Sequence, residues 1–261
     1  MTDNHQQVQQ MFTLQAAAFG STYLTAANRE YLRWMTDHLA LQATDRVIDM
    51  AAGTGHLSRA MAPHVQHVTA FDLTQAMLDQ GQQQAAAEGL TNITFQQGEG
   101  EQLPFPDGTF DLAVARFAVH HFPQPHKQLA EMVRVTKAGG RVAVIDLVAP
   151  TEPLLAIKYN YVEWRRDPSH TFALMPDQLT ELVRTAGVTI TTVISRDIDV
   201  SVDAWLDLTK PSQAVRTEIM TRIEAELNGD QDAVTGMRPF LRDGQRKFWQ
   251  TWAIVAGTVG A

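Results

Sequence analysis

The sequence predicts an α/β fold in which a mainly parallel, doubly wound sheet carries helices on both faces. From Asp45 onward, short apolar segments alternate with helical segments, which is typical of consecutive βα units. The apolar segments lack polar alternation, as strands buried on both faces do. The chain has 261 residues, 44% of them hydrophobic, which is enough to bury the core of one such domain with additions.

The alternation predicts six strands in order, each followed by a turn or a helix. The predicted strands are residues 46–50, 67–72, 92–97, 110–116, 141–148 and 189–196. The predicted helices span residues 55–63, 74–88, 125–137 and 176–186, and Gly187 caps the last of these. The pair Gly139-Gly140 makes a tight turn into the fifth strand, and residues 251–259 are a candidate seventh strand.

Other segments interrupt the alternation and are expected to be helical additions around the sheet. They divide the chain into an N-terminal helical segment (1–40), a core (41–148), a cap insert (149–175), a core helix with strand six (176–196), a helical insert (197–248) and a final core strand (249–261). Helices are expected at 4–17 and 26–41, and within the second insert at 202–209, 213–227 and 230–248.

The charge and composition exclude several function classes. A formal net charge of −8 disfavours nucleic acid as a partner, because phosphate backbones require a basic surface. The absence of cysteine excludes disulfides and thiolate metal sites. The first residues lack the apolar centre of a signal peptide, and no apolar run has bilayer length. We therefore expect a cytoplasmic protein without stable membrane insertion, either a monomer or a homodimer.

A glycine turn follows the first strand in Val47-Ile48-Asp49-Met50-Ala51-Ala52-Gly53-Thr54-Gly55. Gly53 and Gly55 allow a ligand to approach the backbone, and the next helix begins with unpaired N–H groups. A dinucleotide fingerprint would need glycine at Ala51, Gly53 and His56, and two of these three are not glycine. The turn therefore disfavours NAD and FAD, although a turn without a ligand stays an alternative.

Two acidic residues lie at the ends of the next strands. Asp72 ends the second strand, 19 residues after Gly53, where a carboxylate can accept hydrogen bonds from ribose hydroxyls. It could equally cap the helix beginning near Thr74. Glu99, after the third strand, could accept a hydrogen bond from an adenine amino group, or it could belong to an acidic surface loop.

Four blocks together resemble a known family, the class I S-adenosylmethionine (SAM)-dependent methyltransferases of the type-11 group, which includes ubiquinone and menaquinone methyltransferases. The blocks are VIDMAAGTGHLS, VTAFDLTQAML, GEGEQLPFPDGTFDLAVARFAVHHF and EMVRVTKAGGRVAVID, and the resemblance covers about residues 40–150. It implies a Rossmann-like sheet of seven strands with the seventh antiparallel. Ala51, Glu99 and Ala138 depart from the more usual glycine, aspartate and proline.

The resemblance implies that SAM is the cofactor and S-adenosylhomocysteine (SAH) the product. The cofactor-binding residues it implies lie at the ends of the first four strands. They are Asp49, Ala51, Gly53, Thr54, Gly55, Asp72, Leu73, Met77, Gly98, Glu99, Gly100, Arg116 and Phe117. Asp49 and the 51–55 turn would hold the methionyl group, Asp72 the ribose, and residues 98–100 the adenine.

Candidate catalytic residues follow the fourth strand. Displacement at a sulfonium needs mainly alignment and exclusion of water, and a general base helps when the acceptor must lose a proton. His120 and His121 are candidates for that base, because histidine titrates near neutral pH. Either could instead be structural, and a metal site formed with His126 lacks a convincing ligand geometry. No metal is expected.

The cap insert supplies the candidate acceptor-binding residues. Tyr159, Arg165, Asp167 and His170 combine aromatic and charged side chains that suit a planar or anionic small molecule, although the aromatics could equally pack an amphipathic helix on the core. The hypothesis is a SAM-dependent methyltransferase acting on oxygen, nitrogen or carbon of a small-molecule acceptor. The alternatives are a SAM-binding protein without catalysis and an NAD-dependent oxidoreductase.

Overall fold

The fold is built on one mixed sheet, seen in a computed structural model that describes residues 9, 12–13 and 27–260. The strands are β1 (Arg46–Met50), β2 (His67–Asp72), β3 (Ile93–Gln97), β4 (Phe110–Arg116), β5 (Thr136–Val148), β6 (Val188–Ser201), β7 (Pro239–Arg242) and β8 (Gln245–Val259). Their order is β3-β2-β1-β4-β5-β8-β6, and β7 pairs with β8. The order reverses beside β1, which places a ligand-binding crevice at its carboxyl end.

Helices flank the sheet on both faces. They are α1 (Arg29–Asp37), α2 (His56–Met61), α3 (Gln75–Ala87), α4 (Pro125–Val135), α5 (Pro153–Arg166), α6 (Pro176–Thr185), α7 (Val202–Thr209) and α8 (Gln213–Leu227). Short 3₁₀ turns span Ala62–His64 and Val119–His121. The predicted helix 26–41 is shorter than expected, and most of the predicted helix 4–17 lies outside the described residues.

The core forms in two halves because alternate residues of each central strand face opposite sides of the sheet. Val47 packs in the half that includes Met61 and Leu112, whereas Ile48 packs in the half that includes Leu129 and Met132. Both β1 residues are fully buried, since helices cover both faces. This double burial explains why Val47 and Ile48 are adjacent apolar residues in β1, where a strand with one exposed face would alternate apolar and polar residues.

The antiparallel end of the sheet confirms the expected position of the last core strand. β8 lies between β5 and β6 and is antiparallel to both, with Val255 opposite Val144 on one side and Val193 on the other. β1 to β5 run parallel to one another, as the βα alternation predicts. The predicted α/β class with an antiparallel strand is therefore confirmed.

The predicted helix at 230–248 is wrong. Part of this segment instead forms a hairpin, in which β7 pairs with an N-terminal extension of β8. Asp243 and Gly244 make a two-residue turn with φ of 52° and 73°, the geometry that an Asp-Gly pair favours in tight hairpins. Phe240 and Trp249 stack across the strands at 4.8 Å between ring centroids.

Helical additions cover the carboxyl edge of the sheet near β6 and β8. Glu152 caps α5 by accepting hydrogen bonds from the backbone N–H groups of Leu154 and Leu155. α5 ends beside α7, where the Arg166 guanidinium lies 4.6 Å from the Trp205 ring centroid. No helix within the described part of the chain has both the length and the apolar character needed to span a bilayer.

Candidate functional site

A cavity of about 260 Å³ opens at the carboxyl ends of β1, β2 and β4, where the topology predicts a ligand. Its wall includes the segments that follow these strands and β3, together with residues of α7 and β8. Most of the predicted cofactor residues line it. These are Ala51, Gly53, Thr54, Asp72, Leu73, Met77, Gly98, Glu99, Gly100, Arg116 and Phe117.

The glycine turn is held against the end of β2 by a single carboxylate. Asp72 accepts hydrogen bonds from the backbone N–H of Gly53 through Oδ2 and of Thr74 through Oδ1, each at 2.8 Å. The Thr74 hydroxyl and the Leu73 N–H also interact with this carboxylate, which is an acceptor-only group of the kind that hydroxyl groups pair with. Burial raises the Asp72 pKa, and these N–H groups oppose that shift. Asp72 thus hydrogen-bonds the backbone at the N-terminal end of α3 and also faces the cavity. A cap-like role at α3 is therefore compatible with the predicted role in ribose binding.

Asp49 lies beneath the glycine turn rather than in the cavity wall. Its Oδ2 accepts a 2.5 Å hydrogen bond from the Ser58 hydroxyl, while Oδ1 has no hydrogen-bond partner among the described residues. Burial raises the Asp49 pKa to about 6, although Ser58 and the Arg116 guanidinium counteract it. A buried carboxyl with one unpaired oxygen suits a ligand cation such as an ammonium group. Gly55 also lies outside the wall.

Two glycines allow the glycine turn after β1 and the segment after β3 to pack closely against their neighbours. A Cβ on Gly81 of α3 would lie 2.8 Å from the Thr54 carbonyl oxygen, so only glycine brings α3 this near the turn. A Cβ on Gly98 would lie 2.3 Å from the Phe71 ring. Residues 98–100 therefore approach Phe71 closely, on the side predicted to hold adenine.

Arg116 and Phe117 line the cavity at the carboxyl end of β4. Phe117 has a φ of 52°, a left-handed backbone that non-glycine residues rarely adopt, and its N–H donates to the Ile145 carbonyl at 2.8 Å. The Arg116 guanidinium lies 4.9 Å from the Phe117 ring centroid, and that ring contacts Trp252 edge-on at 4.6 Å. Burial lowers the Arg116 pKa to about 10, so the side chain stays cationic at neutral pH.

His120 is oriented by a buried carboxyl group. Its Nδ1 lies 2.5 Å from Oδ1 of Asp146, and its backbone N–H donates to Oδ2 of the same residue at 3.2 Å. Asp146 lies in β5, so the sheet fixes its position. The imidazole lines the cavity, and its Nε2 makes no hydrogen bond to any described residue. A carboxylate at Nδ1 leaves the Nε2 lone pair available for a proton.

His121 has a different environment from its neighbour. Its Nδ1 lies 3.0 Å from the Ser169 carbonyl oxygen, which requires the proton on that nitrogen. Burial, and then His120, lower the His121 pKa to about 4, so the ring is neutral at pH 7. The described residues hold no group of three or more side chains arranged to bind a metal ion.

The predicted acceptor residues do not all reach the cavity. Asp167 lines it, whereas Tyr159, Arg165 and His170 are absent from its wall. The Tyr159 hydroxyl donates to Oε1 of Glu163 in the core at 3.1 Å.

Arg165 and His170 are likewise engaged elsewhere. Arg165 pairs with Glu218 of α8, with 2.6 Å between Nη2 and Oε2. Nε2 of His170 lies 2.8 Å from the Asn160 side-chain oxygen. These contacts give the three side chains structural roles beside the cavity.

Several polar residues that line the cavity were not predicted from the sequence. They are Gln128, Arg166, Trp205, Thr209 and Gln250. Trp205 and Thr209 are four residues apart on α7, a spacing visible in the sequence, but nothing local indicates which element that helix face meets. Gln128, Arg166 and Gln250 are likewise recognisable as cavity residues only once the packing of their helices and strand is known.

Comparison with known proteins agrees with this geometry. The family described as "Methyltransferase domain" matches residues 47–140. A demethylmenaquinone methyltransferase of Geobacillus kaustophilus is 30% identical over 184 residues, covering 61% of this chain and 78% of the relative. The uncharacterized methyltransferase YcgJ of Bacillus subtilis is 40% identical over 144 residues, covering 55% of this chain and 57% of that sequence.

Solved structures show the same architecture. The crystal structure of YcgJ has a TM-score of 0.80 at 28% identity, covering 90% of this chain and all 100% of the other. A Haemonchus contortus phosphoethanolamine N-methyltransferase 2, solved in complex with SAM, shares the fold with a TM-score of 0.60 at 15% identity, covering 90% of this chain and 53% of the other.

The fold and these relatives place the chain among the class I SAM-dependent methyltransferases, a class whose cofactor is SAM. Within that class, the chain belongs to the methyltransferase family that includes the ubiquinone and menaquinone enzymes, as the four sequence blocks predict.

Proposed function

We propose that this chain transfers the methyl group of SAM to a small, largely apolar acceptor, with His120 as the general base. The observation that carries the proposal is the His120–Asp146 pair in the cavity that Asp72 also lines. Such a pair has a clear use when a proton must leave the acceptor as the methyl group arrives.

The cofactor half of the proposal rests on donors and acceptors that match SAM. The unpaired Oδ1 of Asp49 suits the ammonium group, and the Asp72 carboxylate, which faces the cavity, suits the ribose hydroxyls. The side-chain oxygen of Gln128 is also buried without a partner among the described residues and suits an adenine amino group beside Gly100. When bound, SAM supplies a methyl group on a positively charged sulfur, which leaves as a neutral thioether.

The protein's chemical contribution is then the removal of a proton from the acceptor. Asp146 keeps the Nδ1 proton of His120 in place, so Nε2 accepts the acceptor's proton and the carboxylate stabilises the resulting imidazolium. His121 is neutral and donates to the Ser169 carbonyl, which makes it a positioning residue beside the base. Burial of both rings limits water near the reacting atoms.

The apolar side of the cavity supports a ring-shaped or hydrocarbon-rich acceptor. Phe117, Phe122, Leu208 and Trp252 all line it. The Geobacillus relative is named a demethylmenaquinone methyltransferase, which supports a small-molecule acceptor. A hydroxylated aromatic acceptor meets both requirements, because its hydroxyl proton is one that a histidine can remove.

The test is an acceptor screen that detects SAH, followed by substitution of the base. His120→Gln should lower kcat by about 10²–10⁴-fold, because general-base catalysis contributes that much. Asp146→Asn should also lower kcat strongly, because it removes the carboxylate that holds the Nδ1 proton of His120 and leaves Nε2 as the acceptor. Both variants should bind SAH as the wild type does.

His126→Gln provides the matched control, because His126 is an exposed histidine on α4. If His120→Gln and His126→Gln have equal kcat values, His120 is not the base. If the wild type binds SAH but forms no product with any acceptor, the chain is a SAM-binding protein without catalysis.

A further inference from the structure

A buried arginine on α2, Arg59, contacts the glycine turn from outside the cavity. Its Nη1 donates to the Thr54 carbonyl oxygen at 2.5 Å, and its Nη2 lies 3.0 Å from Nδ1 of His56. A guanidinium can only donate, so Nδ1 of His56 is the acceptor in that contact. Thr54 and His56 both line the cavity, whereas Arg59 is absent from its wall. Arg59 therefore acts on the cavity through these two residues.

Arg59 is held in turn by Glu88, the residue that follows α3. Nε of Arg59 lies 3.1 Å from Oε1 of Glu88, and only 9% of the Arg59 side chain is exposed. Burial lowers the Arg59 pKa, and Glu88 opposes that shift. Burying a guanidinium costs free energy unless its donors are paired, and here each of its three nitrogens has a partner. One side chain thus joins the glycine turn, α2 and the end of α3.

The glycine turn needs outside contacts because its own backbone is unusual. Ala51, Gly53 and Gly55 have φ of 57°, 57° and 69°, all in the left-handed region. Such conformations persist where surrounding contacts hold them. Gly81 of α3 meets the turn at the same point as Arg59, since a Cβ on Gly81 would lie 2.8 Å from the Thr54 carbonyl oxygen. Two separate features therefore converge on one carbonyl of the turn.

We propose that Arg59 is a positioning residue for the methionyl part of SAM. It fixes the Thr54 carbonyl and the His56 ring, so the turn predicted to hold the methionyl group has its binding shape before the cofactor arrives. Such preorganisation raises affinity because less conformational freedom is lost on binding. This inference rests on the cofactor half of the proposed function, because that half assigns the cavity to SAM.

The test compares two probes, SAH and 5′-methylthioadenosine, by calorimetric titration without turnover. Both contain adenosine and a thioether, but 5′-methylthioadenosine lacks the amino-acid group. Arg59→Lys keeps a positive charge, but one ammonium group cannot reproduce the planar fork that spans three partners. Its SAH affinity should fall about tenfold or more, whereas its affinity for 5′-methylthioadenosine should change by less than about twofold.

Arg141→Lys is the matched control for the loss of a largely buried guanidinium. Arg141 also pairs with a carboxylate, with 2.6 Å between its Nη2 and Oδ1 of Asp45, and donates to the Ala40 carbonyl. It lies on β5 and is absent from the cavity wall. The ratio of the two probe affinities should therefore match that of wild type, even though the variant is less stable.

Glu88→Gln is a second variant, at a half-exposed position, in case Arg59→Lys does not fold. It keeps Arg59 but weakens its anchor, so it should reduce SAH affinity by less than Arg59→Lys does and spare 5′-methylthioadenosine. Equal losses for both probes, or undiminished SAH binding in folded Arg59→Lys, overturn the proposal. A wild type that binds SAH no more tightly than 5′-methylthioadenosine also overturns it.

The outcome is separable from that of the proposed function. A wild type that binds SAH but shows no turnover dependent on His120 contradicts the proposed function, while the probe comparison still decides the role of Arg59. A chain whose turnover depends on His120 can retain full SAH affinity in Arg59→Lys, and the positioning role is then the claim that fails.

Discussion

Asp49→Asn should make the protein without its cofactor more stable and at the same time weaken cofactor binding. Asp49 is fully buried, and burial raises its pKa from 3.8 to about 6. The folded state therefore holds a proton on this group that the unfolded state has already lost between those two pH values. Its contribution to the free energy of unfolding falls as pH rises through this window and is lowest above pH 6.

The magnitude follows from the size of the shift. A shift of about 2 pKa units corresponds to about 3 kcal/mol of destabilisation at neutral pH, since one unit is about 1.4 kcal/mol. Asparagine resembles the protonated carboxyl group and carries no charge, so it avoids the destabilisation that comes from burying an ionised carboxylate. The variant's stability relative to wild type should therefore rise by about 2 kcal/mol between about pH 4.5 and pH 7.5, which covers most of the titration.

The assay is urea unfolding of wild type and Asp49→Asn across this pH range, paired with calorimetric titration of SAH. The difference between the two proteins cancels the titration of groups that do not interact with Asp49. SAH affinity should fall in the variant, because the unpaired oxygen no longer carries charge for the ammonium group. A stability difference that stays constant with pH, together with unchanged SAH affinity, would refute the reasoning.

Three further predictions concern the backbone and His121. Gly81→Ala should destabilise the protein and weaken SAH binding, because the alanine Cβ would lie 2.8 Å from the Thr54 carbonyl oxygen. This loss should occur although alanine has the higher helix propensity. Urea unfolding and SAH titration check it, with Gln83→Ala, at an exposed position on the same helix, as the control. Ala51→Gly should raise stability by up to about 1 kcal/mol, because Ala51 has a φ of 57°; a loss above about 1 kcal/mol in urea unfolding would contradict this. Burial lowers the His121 pKa to about 4, so the contribution of His121 to the free energy of unfolding is lost as pH falls from 6.5 towards 4. In His121→Gln, the free energy of unfolding should therefore fall by about 3 kcal/mol less over this pH range than in wild type. An unchanged acid-unfolding profile would contradict this.

The core of the fold was predictable because its determinants are local. Strands buried on both faces carry adjacent apolar residues, such as Val47 and Ile48 of β1, and each such strand is followed by a turn or a polar segment that ends it. The segment 230–248 was wrongly predicted to be helical because its mixed composition does not favour one kind of secondary structure. The Asp243-Gly244 pair was the signal that could have identified the hairpin, since few residue pairs favour φ > 0 at both positions.

The acceptor side could not be predicted at the level of individual residues. Neighbouring residues on a helix are about 100° apart around its axis, so Arg165 and Arg166 face different surroundings. Which of them faces the cavity depends on how α5 packs against α7 and α8. Arg165 pairs with Glu218, whereas Arg166 packs on Trp205, and only the packed structure distinguishes them.

Calorimetric titration of SAH against wild type and Asp72→Ala tests whether the cavity beside β1 and β2 binds SAM. We expect one SAH site in the wild type, no competition by NAD, and loss of SAH binding in the variant, because Asp72 both holds the glycine turn and faces the cavity where the ribose is predicted to bind. Circular dichroism of the variant serves as the folding control. Tight NAD binding by wild type, or undiminished SAH binding by folded Asp72→Ala, would contradict this expectation.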